Sequence, residues 1–541
     1  MLEKVRELSK TNPVVFMPTH KTYFDFLLLS LVCFQYEIEL PAIAAGQDFQ
    51  SMKFVGEVLR RSGAFFMRRN FGNDQLYWAV FSEYVQSQIV NNDRTVEFFV
   101  EATRSRVGKS LHPKYGLLQI VLEPYLRGQV FDLIVVPVSM NYDKILEEKL
   151  YAYELLGFPK PKESTSGLLK ARDVLRTKNG NCFITVGEPI SVRDHFGTKL
   201  HRSSFVCQPD SQFILNESAK KAIKSFAHEV VKVQNANSII TVWNLVAVAI
   251  LQVLDDDDLQ SLSYLQLHRK VVDLMRLLQR VNVVVNVMKT VDADLRYYLR
   301  THDDLFEQFD VNSDNFHLKL IDFPVGNEEK RSKVPEEIMS RSVSRLILTT
   351  YSNGMIHSVF TEALICQLVI SDVSRKDSLK AEFRWISTVM KREFVSVADQ
   401  LDENFEKTLE SLVSYGFLND VDGQVSISDQ SSVVQVAKFV KPYLENFNVV
   451  FQSISSNEYD DVAEFTRSAQ KAIVSNYDKK TPGVRLSFLS TEPIKNAFLA
   501  LVEGQALRRN ERGVFIIHAA KFKELNWRFR QVLGRNQSSN V

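Results

Sequence analysis

His20 and Asp25 stand five residues apart in PTHKTYFDFLLLS, directly after the short apolar run PVVFMP. That spacing lets a carboxylate at the start of a helix reach one imidazole nitrogen. The carboxylate would then fix the tautomer and raise the basicity of the other nitrogen, which makes a general base. A lone H-x4-D is also what a loop histidine beside an N-capping acid looks like. A second group is GAFFMRR, residues 63–69, with Arg60 and Arg61 just before it. Guanidinium groups offer planar forks of donors that match phosphate oxygens. In an extended segment only one of Arg68 and Arg69 points to a given side. The third is FFVEATRSR, residues 98–106, which sets Glu101, Thr103, Arg104, Ser105 and Arg106 at the end of an apolar run. An acid and bases this close form either an ion pair or a substrate contact. The fourth is VPVSM, residues 136–140, where Pro137 interrupts an apolar strand and points to an edge or a bulge.

These residues need elements to hold them. Residues 13–18, 95–100, 131–138 and 181–187 are short apolar runs that suit buried strands. Helical periodicities lie between them at 22–35, 74–90 and 116–126. Alternation of this kind predicts an α/β domain whose mixed, mostly parallel sheet is flanked by helices. Ligands of such sheets sit beyond the carboxyl ends of strands, where His20 falls. After about residue 210 long helical patterns take over, at 216–233, 239–254, 259–288, 337–371 and 376–398. Residues 322–335, charged and with two prolines, read as a linker. The expected division is a catalytic domain over 1–210, a helical region over 211–325 and a mainly α-helical C-terminal domain over 336–541. Within the last, 403–428 reads as a helix and a hairpin, similar to a winged-helix tail. No internal repeat is visible.

The whole chain has 541 residues, with 66 Lys plus Arg against 65 Asp plus Glu. A net charge of +1 gives no global reason to bind nucleic acid or an anionic membrane. Any anion must be held by local charge. The four cysteines form no C-x-x-C pair, which argues against structural zinc and a disulfide framework and for a reducing compartment. The carboxylates do not cluster with histidines, so no metal is implied. The apolar stretches 23–35 and 238–254 are too short or too interrupted to span a membrane. They read as buried helices, with interfacial helices in contact with a bilayer as the alternative. The other nine histidines show no partner spacing and read as structural or surface residues.

Taken together and in this order, HKTYFD, GAFFMRR, FVEATRSR and VPVSM resemble the four motif blocks of the glycerolipid acyltransferase superfamily. That superfamily includes glycerol-3-phosphate, lysophosphatidate and dihydroxyacetone-phosphate acyltransferases. The stretches AAGQDFQSMKFVGEVLRRSGAFFMRRNFG, LYWAVFSEYV and VGEPISVRDHF, with residues 139–175, resemble the peroxisomal dihydroxyacetone-phosphate branch. The match is close over roughly residues 10–200 and looser beyond. The resemblance implies the glycerolipid acyltransferase fold and O-acyl transfer from acyl-CoA, a co-substrate, with no bound cofactor. The acceptor would be dihydroxyacetone phosphate, or alternatively glycerol 3-phosphate. His20 would be the base and Asp25 its orienting partner. Arg68, with Arg69 as second choice, and Arg104 would clamp the phosphate. Glu101 would position Arg104 or a hydroxyl, Thr103 and Ser105 would add substrate contacts, and Pro137 would lie on the acyl-CoA side. The resemblance further implies a peripheral protein on the matrix face of the peroxisomal membrane, working beside an ether-lipid synthesis partner. A mitochondrial or endoplasmic reticulum membrane is the alternative. The last residues, NQSSNV, do not resemble a Ser-Lys-Leu type address, and His20 lies nearer the first residue than in longer relatives. Ala102 departs from the family's usual Gly. If that position needs φ > 0, Ala costs about 1 kcal/mol or more and would displace Arg104. That leaves room for a weakened or inactive homologue serving as a scaffold.

Overall fold

The computed structural model describes residues 1–49, 53–68, 74–159, 179–197, 200, 202–209, 213–256, 261–324, 334–454 and 458–534. The chain divides into two compact units. The first comprises Met1–Ser105, Ser110–Leu146 and Pro161–Ile239; the second comprises Arg106–Lys109, Glu147–Lys160 and Ile240–Val541. The first unit therefore runs past residue 210, where the helical texture begins.

The first unit is built on a seven-stranded sheet. Its strands are β1 (Val14–Pro18), β2 (Ala42–Gly46), β3 (Ala64–Met67), β4 (Val96–Glu97), β5 (Ile134–Tyr142), β6 (Cys182–Val186) and β7 (Ile190–Ser191). The order is β3-β2-β4-β1-β5-β6, and β7 also pairs with β5. β3, β2, β4, β1 and β5 are mutually parallel. β6 and β7 run antiparallel to β5. The mostly parallel sheet expected from the alternating pattern is present.

The longer helices of this unit are α1 (Leu2–Ser9), α2 (Asp25–Gln35), α3 (Lys53–Arg61), α4 (Gln75–Asn91), α5 (Gly116–Leu126) and α6 (Glu217–Ala236). Right-handed crossovers put α2 and α3 on one face of the sheet and α4 and α5 on the other. On the first face Val5, Leu29 and Cys33 of the helices pack on Val14, Phe16, Val136 and Val138. On the second, α4 packs on α5, and α6 packs on β5. β1 is buried at every residue, as a central parallel strand should be. Because the parallel strands point the same way, the segments after β1, β3 and β4 all leave from one edge.

The second unit is helical. It includes α7 (Val242–Asp256), α8 (Tyr264–Arg280), α9 (Val291–Thr301) and α10 (Glu336–Ile356). α7 is a core helix: Val242, Trp243, Leu245, Val246, Ala247 and Ala249 are at most 1% exposed. The reading of 238–254 as a bilayer contact is thereby corrected, since its apolar surface is already covered by protein. Among the described residues no single helix is long and apolar enough to cross a membrane. The 337–371 pattern is two helices, broken at residues 357–359 by a bend of 95°.

The remainder of this unit repeats one topology twice. The first copy is α11 (Phe360–Ile370), α12 (Lys376–Val389), α13 (Leu401–Ser414), the hairpin β8 (Leu418–Val421) and β9 (Gln424–Ile427), and α14 (Gln430–Ala437). The second is α15 (Lys441–Gln452), β10 (Glu458–Tyr459), α16 (Val462–Asp478), α17 (Thr491–Glu503), the hairpin β11 (Leu507–Arg509) and β12 (Phe515–Ile517), and α18 (Ala519–Val532). β10 pairs with β12 as Arg375 pairs with Gln424 of β9. Both copies close the last long helix alike. Phe417 N–H donates to Leu412 O, and Ala506 N–H donates to Leu501 O. Ser428 N–H donates to Phe417 O, and His518 N–H donates to Ala506 O. The helix–strand–helix–helix–hairpin order, with the first strand beside the last, is winged-helix topology. The tail read at 403–428 is one of two such modules, which overturns the absence of a repeat.

Candidate active site

His20 and Asp25 meet as their spacing allows. His20 leaves the carboxyl end of β1, and Asp25 is the first residue of α2. His20 Nδ1–H donates to Asp25 Oδ2 at 2.9 Å. That assignment leaves Nε2 as the acceptor. The same carboxylate oxygen accepts the main-chain N–H groups of Lys21 at 2.6 Å and Thr22 at 3.0 Å. Asp25 is wholly buried, so its charge rests on these donors. The imidazole stacks on Phe99, ring centroids 3.9 Å apart and planes at 18°. A residue that sequence reasoning passed over completes the group. The Tyr142 hydroxyl donates to Asp25 Oδ1 at 2.5 Å. Its signal was its parity on β5, on the same face as Val136, Val138 and Met140.

Glu101 holds backbone rather than Arg104. Its Oε1 accepts His20 N–H at 2.9 Å and its Oε2 accepts Leu111 N–H at 2.8 Å. It therefore staples the loop after β1 to the loop after β4. Burial pushes its carboxyl up to about 7, against the lowering effect of those two amides. Ser105 N–H donates to His20 O at 2.8 Å and closes the same junction. The Ser105 side chain is buried, and Thr103 is exposed on the loop. Ala102, between Glu101 and Thr103, adopts φ +58°. The left-handed conformation that suits Gly is retained with Ala in place, and the loop keeps its junction with His20.

The cations of these motifs have different partners. Arg104 lies over the Tyr23 ring, its central carbon 3.4 Å from the centroid, and is largely buried beside the dyad loop. Lys21 is half-buried; burial holds its ammonium below the usual range while Glu101 and Asp25 oppose that. Arg68 is exposed past the end of β3, paired with Asp74 at 2.8 Å and 4.2 Å from the Tyr77 ring centroid. β2 and β4 intervene between β3 and β1, so Arg68 leaves the same edge roughly 14 Å from His20's strand. Arg60 and Arg61 are the last turn of α3 and both bind Glu57. Arg106 pairs with Glu154. Carboxylates thus claim Arg60, Arg61, Arg68 and Arg106. Arg69 lies outside the described residues.

Pro137 is not at an edge. β5 is flanked by β1 on one side and by β6 and β7 on the other. Ile134 N–H and Val138 O bond towards β1, so Pro137 faces the other side. There β6 ends and β7 has not begun, and Gly187 N–H donates to Pro137 O at 2.8 Å. The missing N–H thus falls at the break between two partner strands, which is why the strand tolerates it.

Glu97 was also missed. It is in register with Phe16 and lies on the α2 face. It is fully buried, and neither carboxylate oxygen has a hydrogen-bond partner among the described residues. Burial and the Asp25 charge push it well above the usual range, so it is a neutral acid beneath the dyad.

The arrangement can take a proton from a hydroxyl at Nε2 of His20, with the charge that develops on the ring balanced by Asp25. Comparison with known proteins agrees with that chemistry. A model of the glycerol-3-phosphate acyltransferase C-terminal region matches residues 151–510, and an acyltransferase model matches residues 2–141. The human dihydroxyacetone phosphate acyltransferase is 33% identical over 511 residues, covering 93% of this chain and 72% of the relative. The mouse protein of the same name is 33% identical, over 93% of this chain and 73% of the relative. A glycerol-3-phosphate acyltransferase of Pseudomonas aeruginosa is 37% identical over 276 residues, covering 50% of this chain and 33% of the relative. With a family model over most of its length and relatives this similar over 93% of it, the chain belongs to the glycerol-3-phosphate and dihydroxyacetone phosphate acyltransferase family, and it is an acyltransferase.

Proposed function

We propose that this enzyme transfers a fatty acyl group from acyl-CoA to the free hydroxyl of dihydroxyacetone phosphate, with no bound cofactor. The observation that carries the reaction is the His20–Asp25 hydrogen bond at the carboxyl edge of the sheet. The names of the relatives that match nearly the whole chain support the acceptor. His20 Nε2 takes the hydroxyl proton as the oxygen attacks the thioester carbonyl. The tetrahedral intermediate collapses, the carbon–sulfur bond breaks, and the imidazolium returns the proton to the CoA thiolate. No acyl-enzyme is needed. The oxyanion requires donors other than the N–H groups of His20, Lys21, Thr22, Ser105 and Leu111, all of which are already engaged. Arg104 and Lys21, beside the dyad loop, hold the substrate phosphate. Arg68 is a second anion contact: an exposed ion pair such as its pair with Asp74 is worth about 1 kcal/mol or less, so a phosphate can displace it.

The product, acyl-dihydroxyacetone phosphate, feeds ether-lipid synthesis, and the enzyme works as a peripheral protein of the peroxisomal membrane beside a later enzyme of that route. Parallel assays with palmitoyl-CoA and either acceptor test the reading. Dihydroxyacetone phosphate should be the faster acceptor, and His20→Ala should lower kcat by about 100-fold or more. A much faster reaction with glycerol 3-phosphate sinks the choice of acceptor; an unchanged rate in the His20 variant sinks the mechanism.

A further inference from the structure

Asp25 carries more donors than orienting an imidazole requires. Three donors reach Oδ2: the His20 ring at 2.9 Å and the N–H groups of Lys21 at 2.6 Å and Thr22 at 3.0 Å. Oδ1 faces the other way and accepts the Tyr142 hydroxyl at 2.5 Å. We propose that Tyr142 is a positioning residue of the acyl-transfer reaction, whose hydroxyl locks the rotation of the Asp25 carboxylate and tempers its basicity, and so sets the strength of His20 as a base.

The strand geometry delivers this contact. β1 pairs with β5 as far as Pro18 opposite Val138. β5 then runs on to Tyr142, now paired with β6 through Cys182. Four further residues carry the strand about 13 Å beyond the end of β1. Side chains alternate along a strand, so Tyr142 shares the face of Val138 and Met140, beneath α2. That brings its ring under the first turn of α2, where Asp25 sits. Without this overhang the carboxylate would have its donors on one oxygen and could turn about its own bond.

The charges around the contact favour a permanent donor. Burial and the negative charge of Asp25 push the Tyr142 hydroxyl far above its ordinary range, so it stays protonated at any assay pH. Cys182, the neighbour across the strand pair, is held at about 12 by burial and is a neutral thiol. The remaining ionisable groups that act on Asp25 are Lys21 and Glu101 on the loops and Glu97 beneath. A hydrogen bond to an anion withdraws charge from it, and what remains on Oδ2 is what His20 feels. Removing the phenol therefore makes Asp25 the stronger partner of an imidazolium, and the base is protonated at higher pH.

The inference rests on acyl transfer at His20, and its test has a part that does not. Tyr142→Phe keeps the ring and deletes only the hydroxyl. Its kcat should fall about tenfold or more, since the bond lost is to a charged group, with the acceptor KM within about threefold. The acid limb of its kcat/KM profile should move to higher pH. Difluorotyrosine at position 142, a stronger donor, should move the limb to lower pH. A role confined to packing predicts neither shift. The ¹⁵N resonances of His20, followed by titration in the absence of substrates, should report the same opposite displacements. If the wild type fails to transfer acyl groups, the functional reading falls while the resonances still decide the role of Tyr142. The inference is overturned if both substitutions leave the His20 titration and the pH profile where they were, whether activity is kept or is lost together with thermal stability.

Discussion

At the scale of single residues, the loop that contains Arg104 is under measurable strain. Ala102 adopts φ +58°, a conformation an L-residue takes at a cost of about 1–2 kcal/mol. The sequence already showed the anomaly, an alanine where the family has glycine, and the structure places that alanine in the left-handed conformation that favours glycine. Ala102→Gly should therefore stabilise the protein by about 1 kcal/mol and leave kcat within about twofold, as read from urea unfolding and the acyl-transfer assay. Glu101 makes the opposite kind of contribution. Its carboxyl titrates near 7 in the folded chain and near 4.5 when unfolded. Between those values the folded state binds the extra proton, so stability falls as pH rises through that window and is level above it. The loss should be on the order of 3 kcal/mol for this group. In Glu101→Gln this group's share of the slope should vanish, and the share of Glu362, which burial also pushes up to about 7, should remain. The variant should still be less active, because an amide offers one acceptor where two main-chain N–H groups wait. Urea titrations at several pH values from acid to neutral check both. Glu101 was recognisable as a site residue from its place after an apolar run. That its partners are main-chain amides was not, since a sequence does not show which backbone groups a fold leaves unpaired.

At the scale of elements, β1, α5 and the long helices were readable because their apolar periods are unbroken. β4 was read too long: only Val96 and Glu97 pair, since the segment turns at once into the loop that Glu101 fastens. β2 was overlooked because AIAAG is short and lacks strand alternation, whereas β3 was legible as the strand end that carries the FF of GAFFMRR. The duplicated module escaped for a different reason. Its copies share turns and hydrogen bonds, which few residue identities record. One pair of turns makes this testable. The second residue past the last long helix is Gly416 at φ +73° in the first copy and Gln505 at φ +57° in the second. Each precedes the main-chain bond that closes the helix, by Phe417 or Ala506. Gln505 therefore carries the left-handed penalty that Gly416 avoids. Gln505→Gly should raise stability by about 1 kcal/mol. Gly416→Ala should lower it by a similar amount, because a Cβ there meets open space and only the backbone conformation objects. Thermal unfolding of the two variants should move in opposite directions; shifts of the same sign would mean that the turns are not equivalent.

At the scale of the whole molecule, a net charge of +1 meets a lipid product. Net charge gives the protein little hold on an anionic surface, so the peripheral membrane contact proposed above would be apolar. α7 cannot provide it, being core. α2 can: Leu27, Leu31 and Phe34 are 48%, 61% and 72% exposed and spaced by four and three residues, which is one helical face. The same helix begins with Asp25, so this face adjoins the edge proposed for acyl transfer. α4 also exposes Leu76, Val80 and Tyr84, but on the opposite side of the sheet. Burying three partly exposed apolar side chains yields only a few kcal/mol, enough for reversible binding and no more. The protein should therefore sediment with phosphatidylcholine vesicles nearly as well as with vesicles containing phosphatidylserine. Raising salt from about 0.05 M to about 0.5 M should change the bound fraction less than twofold, although it shortens the Debye length to roughly a third. Leu31→Glu with Phe34→Glu should lower binding about tenfold or more, and Val80→Glu on α4 should not. Binding that disappears in high salt would mean that local arginines hold the surface; equal loss in the α4 variant would mean that α2 is not the side that meets the membrane.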